Sequence, residues 1–320
     1  MQKLMITFAV LLAALHSASA QPAEAIIGVI RWDAWVGEAP TFGDSTSENR
    51  VGLVVERTLG PQHWHYRLPF FAVELSANQV QVRGNTQEVV DQEILYAADA
   101  GIDYWAFVYY YPGSGLDAAR NLYLNSAYRE AINFCLIVDG WQLSLPESIP
   151  LFVDYFKMPN YQKVLEGRPL VYILGQDYLT RQSIDSLRAR VAAAGLPIPY
   201  LVYMGWTADE VKAAIAIYGL DAGSSYAQDG YDGQPFGELA QRAEQGWEAY
   251  RDSGIKVVPW VTTGWDPRPR IEGFDFFFQR SNQLLPRLFH AFLFFGASFP
   301  EASGQLAAGN IVAAGSLQVL

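Results

Sequence analysis

Long apolar runs alternate along this chain with amphipathic segments, and the runs have too few polar breaks to be surface strands. Ala25 to Trp32 reads AIIGVIRW, Tyr104 to Tyr110 reads YWAFVYY, and Phe134 to Val138 reads FCLIV. Pro169 to Leu174, Tyr200 to Met204, Asp221 to Tyr226 and the segment from Lys256 continue the series. β-Branched and aromatic residues fill them, the pattern of strands buried on both faces. Between them lie segments of helical period. Thr86 can cap a helix to Ala100 in which Ile94, Leu95 and Ala98 recur on one face, and Gly101 stops it. Helices are also expected over Leu116 to Ile132, Ile149 to Leu165, Ile184 to Ala194, Ala208 to Tyr218 (capped by Thr207) and Phe236 to Asp252. Seven strands, most followed by a helix, call for a parallel sheet covered by helices.

Two architectures satisfy that pattern. A doubly wound sheet usually carries a glycine-rich phosphate loop after its first strand. Here the first strand runs into Trp32-Asp33-Ala34-Trp35 instead. Carboxylates and aromatics close most of the strands, as at the C-terminal face of a (β/α)8 barrel. The expected fold is therefore α/β, a (β/α)8 TIM-like barrel. An irregular segment, Glu38 to Asn85, displaces its first helix. The eighth strand is expected to be missing or replaced by an atypical C-terminal tail. From Phe276 onward the only charged side chains are Arg280, Arg287 and Glu301, and phenylalanine, leucine, alanine and glycine fill the rest.

The ends of the chain are read separately. Met1-Gln2-Lys3, the apolar run Leu4 to Leu15 and the small-x-small site Ala18-Ser19-Ala20 form a secretory signal. The expected organisation is a signal peptide over 1–20, a barrel domain over 21–272 and an apolar tail over 273–320, with the mature protein secreted or periplasmic. The net charge of −11 argues against nucleic acid and anionic membrane surfaces as partners. The only cysteine, Cys135, sits in an apolar run, so no intrachain disulfide or thiolate cluster can form. His63-Trp64-His65 has no nearby third ligand, so no metal and no cofactor are expected. The chain is expected to act as a monomer.

Aromatic residues make up 14 % of this acidic chain, and in a secreted protein they suit sugar rings stacked on indoles and phenols, as well as a core. Trp35, Trp141, Trp206 and Trp265 follow the first, third, fifth and seventh strands and would line one cleft. Asp33 lies between Trp32 and Trp35, where it can clamp a sugar hydroxyl or make a turn. Tyr109 and Tyr111 share a face by alternation at the end of the second strand. Asp139, Asp177 and Tyr226 end the third, fourth and sixth strands. His65 is placed at sugar contact. Trp265-Asp266-Pro267-Arg268-Pro269-Arg270 ends the seventh, with two prolines holding it extended. These residues, with an oligosaccharide or polysaccharide as ligand, form the expected binding set.

Three blocks resemble a known family. Gln92 to Phe107, QEILYAADAGIDYWAF, looks like the EI-x-x-A-x-x-x-GID-x-W-x-F signature of glycoside hydrolase family 99-like proteins, a group that includes endo-mannosidases and WbsX-type proteins. Asp154 to Ile173, DYFKMPNYQKVLEGRPLVYI, and Trp265 to Arg270 are similar to two further stretches of that family, in the same order. The resemblance covers about Ile26 to Ile271 and implies a TIM barrel acting on carbohydrate. It also implies paired catalytic glutamates after the eighth strand, in a WNE-x-x-EG-type motif. This chain carries no such motif. Asp139 and Asp266 are the substitute pair of carboxyl groups that glycoside cleavage would need. Two functions stay open: a secreted glycoside hydrolase, or a glycan-binding relative that has lost the acid/base pair.

Overall fold

A computed structural model describes residues 25–41, 50–228, 230, 234–262, 268–273 and 311–312. The signal segment, Trp265, Asp266 and almost all of the tail lie outside these residues. Six strands run parallel in the order in which they occur: β1 (Ile26–Arg31), β2 (Tyr104–Val108), β3 (Asn133–Asp139), β4 (Arg168–Leu174), β5 (Tyr200–Met204) and β6 (Ala222–Ser224). Val257 extends this sheet through a parallel bridge to Gly223. On the opposite edge a two-residue strand of the tail, β7 (Ile311–Val312), pairs in parallel with β1, where the eighth strand of a barrel belongs. The sheet curls with helices around it, an incomplete TIM barrel, and among the described residues two of the tail pair at that edge.

The helices form where capping and period direct. α2 (Gln87–Asp99) is capped by Thr86, whose side chain accepts from the Val89 N–H. α6 (Arg181–Ala193) opens with a capping box between Thr180 and Ser183, and α7 (Ala208–Tyr218) with Thr207. Gly219, in the left-handed region at φ +70°, closes α7. α3 (Ala118–Asn125) and α5 (Ser148–Phe156) are shorter than the sequence pattern suggests. α5 stops two residues before Met158, which Pro159 pushes out of the helical region. α8 (Phe236–Asp252) follows β6.

The displaced first helix is replaced by a small second layer. It comprises α1 (Val51–Leu59), a 3-10 turn over Gln62–Arg67 and a hairpin of Val73–Ser76 with Gln79–Gln81. Trp32, Trp35, Val55, Leu59, Trp64 and Val82 form its own buried cluster.

Register sorts the strand residues into two faces. Trp105, Phe107 and Phe134 point outward and close around Tyr123 of α3, with ring centroids 5.5–5.7 Å apart. The alternate residues point into the barrel, where the Tyr104 and Tyr172 hydroxyls meet at 2.8 Å. Gly28 makes room for this pair, since a Cβ there would lie 1.9 Å from Tyr104 Cζ. Gly28→Ala is therefore expected to displace Tyr104 and cost about 1–3 kcal/mol, as overpacking does. A urea midpoint equal to that of the wild type would show that the layer is loosely packed.

Candidate functional site

The same alternation decides which residues crown the barrel. Residues 28, 30 and 32 of β1 and its extension share the inner face, as do 104 to 110 at even positions and 135 to 139 at odd ones. Trp32 and Tyr110 therefore converge above the Tyr104 layer, and Trp32 Nε1 donates to the Tyr110 hydroxyl at 2.7 Å. Asp139 ends β3 on this face. Tyr226, buried after β6, completes the group. Burial pushes the Tyr110 phenol above its ordinary range, the Trp32 bond opposes this, and the neighbouring charges of Asp139 and Asp33 add to it. Burial raises Tyr226 likewise, with Tyr110 adding to it.

Asp139 is the carboxyl group that this surface presents. Its Oδ1 accepts from the Gln142 N–H at 2.7 Å and caps α4 (Gly140–Ser144). The Gln142 Oε1 accepts in return from the Asp139 N–H at 3.0 Å, and its Nε2 donates to the Tyr109 carbonyl at 2.8 Å. This one amide ties the ends of β2 and β3 together. Burial raises the Asp139 carboxyl above its ordinary 3.8; bonds from the Gln142 and Trp141 N–H groups oppose the shift, and the charge of Asp177 adds to it. The folded protein thus binds this proton more tightly than the unfolded chain. The contribution to stability is complete below about pH 3.8 and is lost as pH rises through the folded value. Melting temperatures measured from pH 3.5 to 7 are expected to fall for the wild type relative to Asp139→Asn. Parallel curves would remove the shift from the argument.

Other expected ligand residues are placed differently. Tyr109 points outward: its ring is buried between Phe152 (4.9 Å) and the Arg120 guanidinium (4.4 Å), and burial pushes its phenol up to about 12. The even-numbered Tyr110 takes the inward place instead. Asp33 shares the outer face with Arg31, which binds both of its carboxylate oxygens at 2.9 and 3.1 Å, so it is buried in an ion pair away from the inner face. Trp35 is buried in the second layer against Phe71 and does not line a cleft. His65 sits in the 3-10 turn with both ring nitrogens engaged, by the Gly60 carbonyl at 2.7 Å and Glu74 at 2.8 Å. The Gly60 carbonyl, with help from Glu74 and against burial, raises its pKa.

Tyr111, Asp177 and Trp206 stand on the loops after β2, β4 and β5, and Trp141 lies in α4 directly after β3. The Tyr111 and Trp141 rings meet edge to face at 5.6 Å. Arg268 and Arg270 belong to the short helix α9 (Arg268–Gly273), and the Arg268 guanidinium lies 5.2 Å from the Trp64 ring. Among the described residues no group of His, Cys, Asp and Glu is arranged to hold a metal.

The constellation therefore comprises an inner cluster of Trp32, Tyr110, Asp139 and Tyr226 and a rim of exposed aromatics. Sequence reasoning missed Trp32 and Tyr110. The signal was present in Arg31 and Asp33: two charged residues two apart on a buried strand share one face, which turns Trp32 to the other.

No family model matches the chain, and no curated protein matches it by sequence. Among solved structures, the fold is similar to that of a glycoside hydrolase family 99 endo-α-mannosidase from Bacteroides thetaiotaomicron. The TM-score is 0.50 at 15 % identity, over 76 % of this chain and 73 % of that one. A second structure of a family 99 endo-α-mannosidase from that organism, in complex with BIS-TRIS-propane, aligns with a TM-score of 0.45 at 16 % identity. That alignment takes in 60 % of this chain and spans 62 % of the other chain's length. The relationship is one of fold.

Proposed function

We propose that this chain is a carbohydrate-active protein of the glycoside hydrolase type, with its glycan site at the C-terminal end of the barrel. The observation that carries this reading is Asp139: a sheltered carboxyl of raised pKa, on the inner face at a strand end, beside the exposed Trp141 and the charge of Asp177. A carboxyl group whose pKa its surroundings raise is the kind that proton donation to a glycosidic oxygen calls for. Tyr110, half-buried and held by the Trp32 indole, adds a hydroxyl near it. The barrel fold shared with endo-α-mannosidases supports the reading, and the signal segment supports secretion. One observation favours a second reading, a glycan-binding relative without turnover: Asp139 already spends one oxygen on capping α4.

Incubating the purified chain with α-mannan and related glycans separates the two. New reducing ends that disappear in Asp139→Asn support the hydrolase. Retention of the glycan without cleavage supports the binding relative, and neither binding nor cleavage overturns both.

A further inference from the structure

After three consecutive strands the barrel rim holds an aromatic side chain out into solvent. Trp141 follows β3 and is 45 % exposed, Tyr178 follows β4 and is 71 % exposed, and Trp206 follows β5 and is 43 % exposed. Large rings are normally drawn inward, so three after successive strands on one face need a reason.

The loops are stitched together. Gly140 lies so close to the next loop that a Cβ there would come within 2.4 Å of the Asp177 carbonyl oxygen and the Leu179 nitrogen. The backbones that carry Trp141 and Tyr178 therefore touch. Glu210 joins the following pair: one of its oxygens accepts from the Trp206 N–H at 3.1 Å, and the other accepts from the Tyr203 hydroxyl at 3.1 Å and from Gln176 at 3.4 Å. The Tyr111 edge supports Trp141 from the β2 side.

Tyr178 adds an independent sign. Its φ is +61°, a left-handed backbone that a non-glycine residue adopts at a cost, and such strain gathers at ligand sites. Here it holds out the most exposed of the three rings. Gln176 and Asp177 directly precede Tyr178, and Glu210 holds the Trp206 backbone, so hydrogen-bonding groups accompany these rings. Alternating aromatic platforms with polar groups suits a ligand that has apolar ring faces and equatorial hydroxyls. It does not suit a protein surface, which needs continuous apolar area.

We propose that Trp141, Tyr178 and Trp206 form a stacking track for successive rings of one linear polysaccharide chain, running around the rim from β3 to β5 away from Asp139. This rests on the reading of the Asp139 cleft as a glycan site. It adds that the ligand is an extended chain and not a mono- or disaccharide, and it assigns Tyr178 a role that neither motif nor composition indicates.

The test uses the full chain and linear α-manno-oligosaccharides of two to eight units, with linear β-glucan oligosaccharides of the same lengths as a second series. Binding is measured by calorimetry. Affinity for one series is expected to climb with length until the track is filled. Tyr178→Ala and Trp206→Ala should each lower the affinity for the longest member about tenfold, the effect of one stacked aromatic anchor. Their affinity for the disaccharide should be unchanged. Trp206→Phe, which keeps a ring, should recover most of the loss. All three side chains are exposed, so circular dichroism should be unaltered. Affinity independent of length, or equal in Tyr178→Ala and the wild type, overturns the track while leaving the glycan cleft standing. Failure to bind either series at any length overturns both.

Discussion

Replacing Arg31 by methionine is expected to remove about 3–5 kcal/mol of stability, the usual effect of breaking a buried ion pair by deleting one partner. In a domain of this size that lowers the melting temperature by roughly 6–20 °C. Arg31 stands between β1 and the helix layer with its guanidinium 4.1 Å from the Trp105 ring. It binds Asp33 through two nitrogens and pairs with Glu93 of α2. All three residues are buried. Without Arg31, two carboxylates would share an apolar site with nothing to balance them. Glu93 shows the tension already: burial raises its pKa, Arg31 holds it down and Asp33 adds to the rise. Glu93→Gln is therefore expected to cost much less than Arg31→Met, because Asp33 still neutralises the arginine. Thermal melts of the two variants check this, and equal losses would mean that packing of the arginine stem, not charge, dominates.

The second large effect is on chemistry. If the chain cleaves glycans, Asp139→Asn should lower turnover by about 10²–10⁴-fold, the range for loss of a general acid. Asparagine caps helices as well as aspartate does, so α4 should persist and binding should change little. Steady-state kinetics with the cleaved glycan would show the loss in kcat, not KM. Undiminished turnover in the variant would move the acid to another residue, with Asp177 the next to test.

Much of the fold was legible because it follows from period and burial. Strand runs such as FCLIV carry no polar break, and helices such as Thr86 to Ala100 announce both ends. The barrel itself could be inferred from where polar residues cluster, at strand ends. The candidate site was only half legible, for a geometric reason. Period-2 alternation says that Tyr109 and Tyr111 share a face, yet it does not say which face. That choice is settled by register: Phe107 pairs with Arg31 on the outer side, so Tyr109 follows it under α5 and Tyr110 turns inward. Asp33 was misleading for a related reason. Its partner Arg31 is held in turn by Glu93, 62 residues further along the chain, on a helix whose apolar face attracted attention first. The second layer over 50–85 was illegible because its 3-10 turn and short hairpin have no sustained period.

The hydroxyl pair of Tyr104 and Tyr172 has a consequence for traffic. These two rings meet inside the curled sheet, with Cys135 beside them, and all three are fully buried. Among the described residues the interior at this level is filled by side chains, so a glycan chain would lie across the C-terminal ends of the strands and not thread between them.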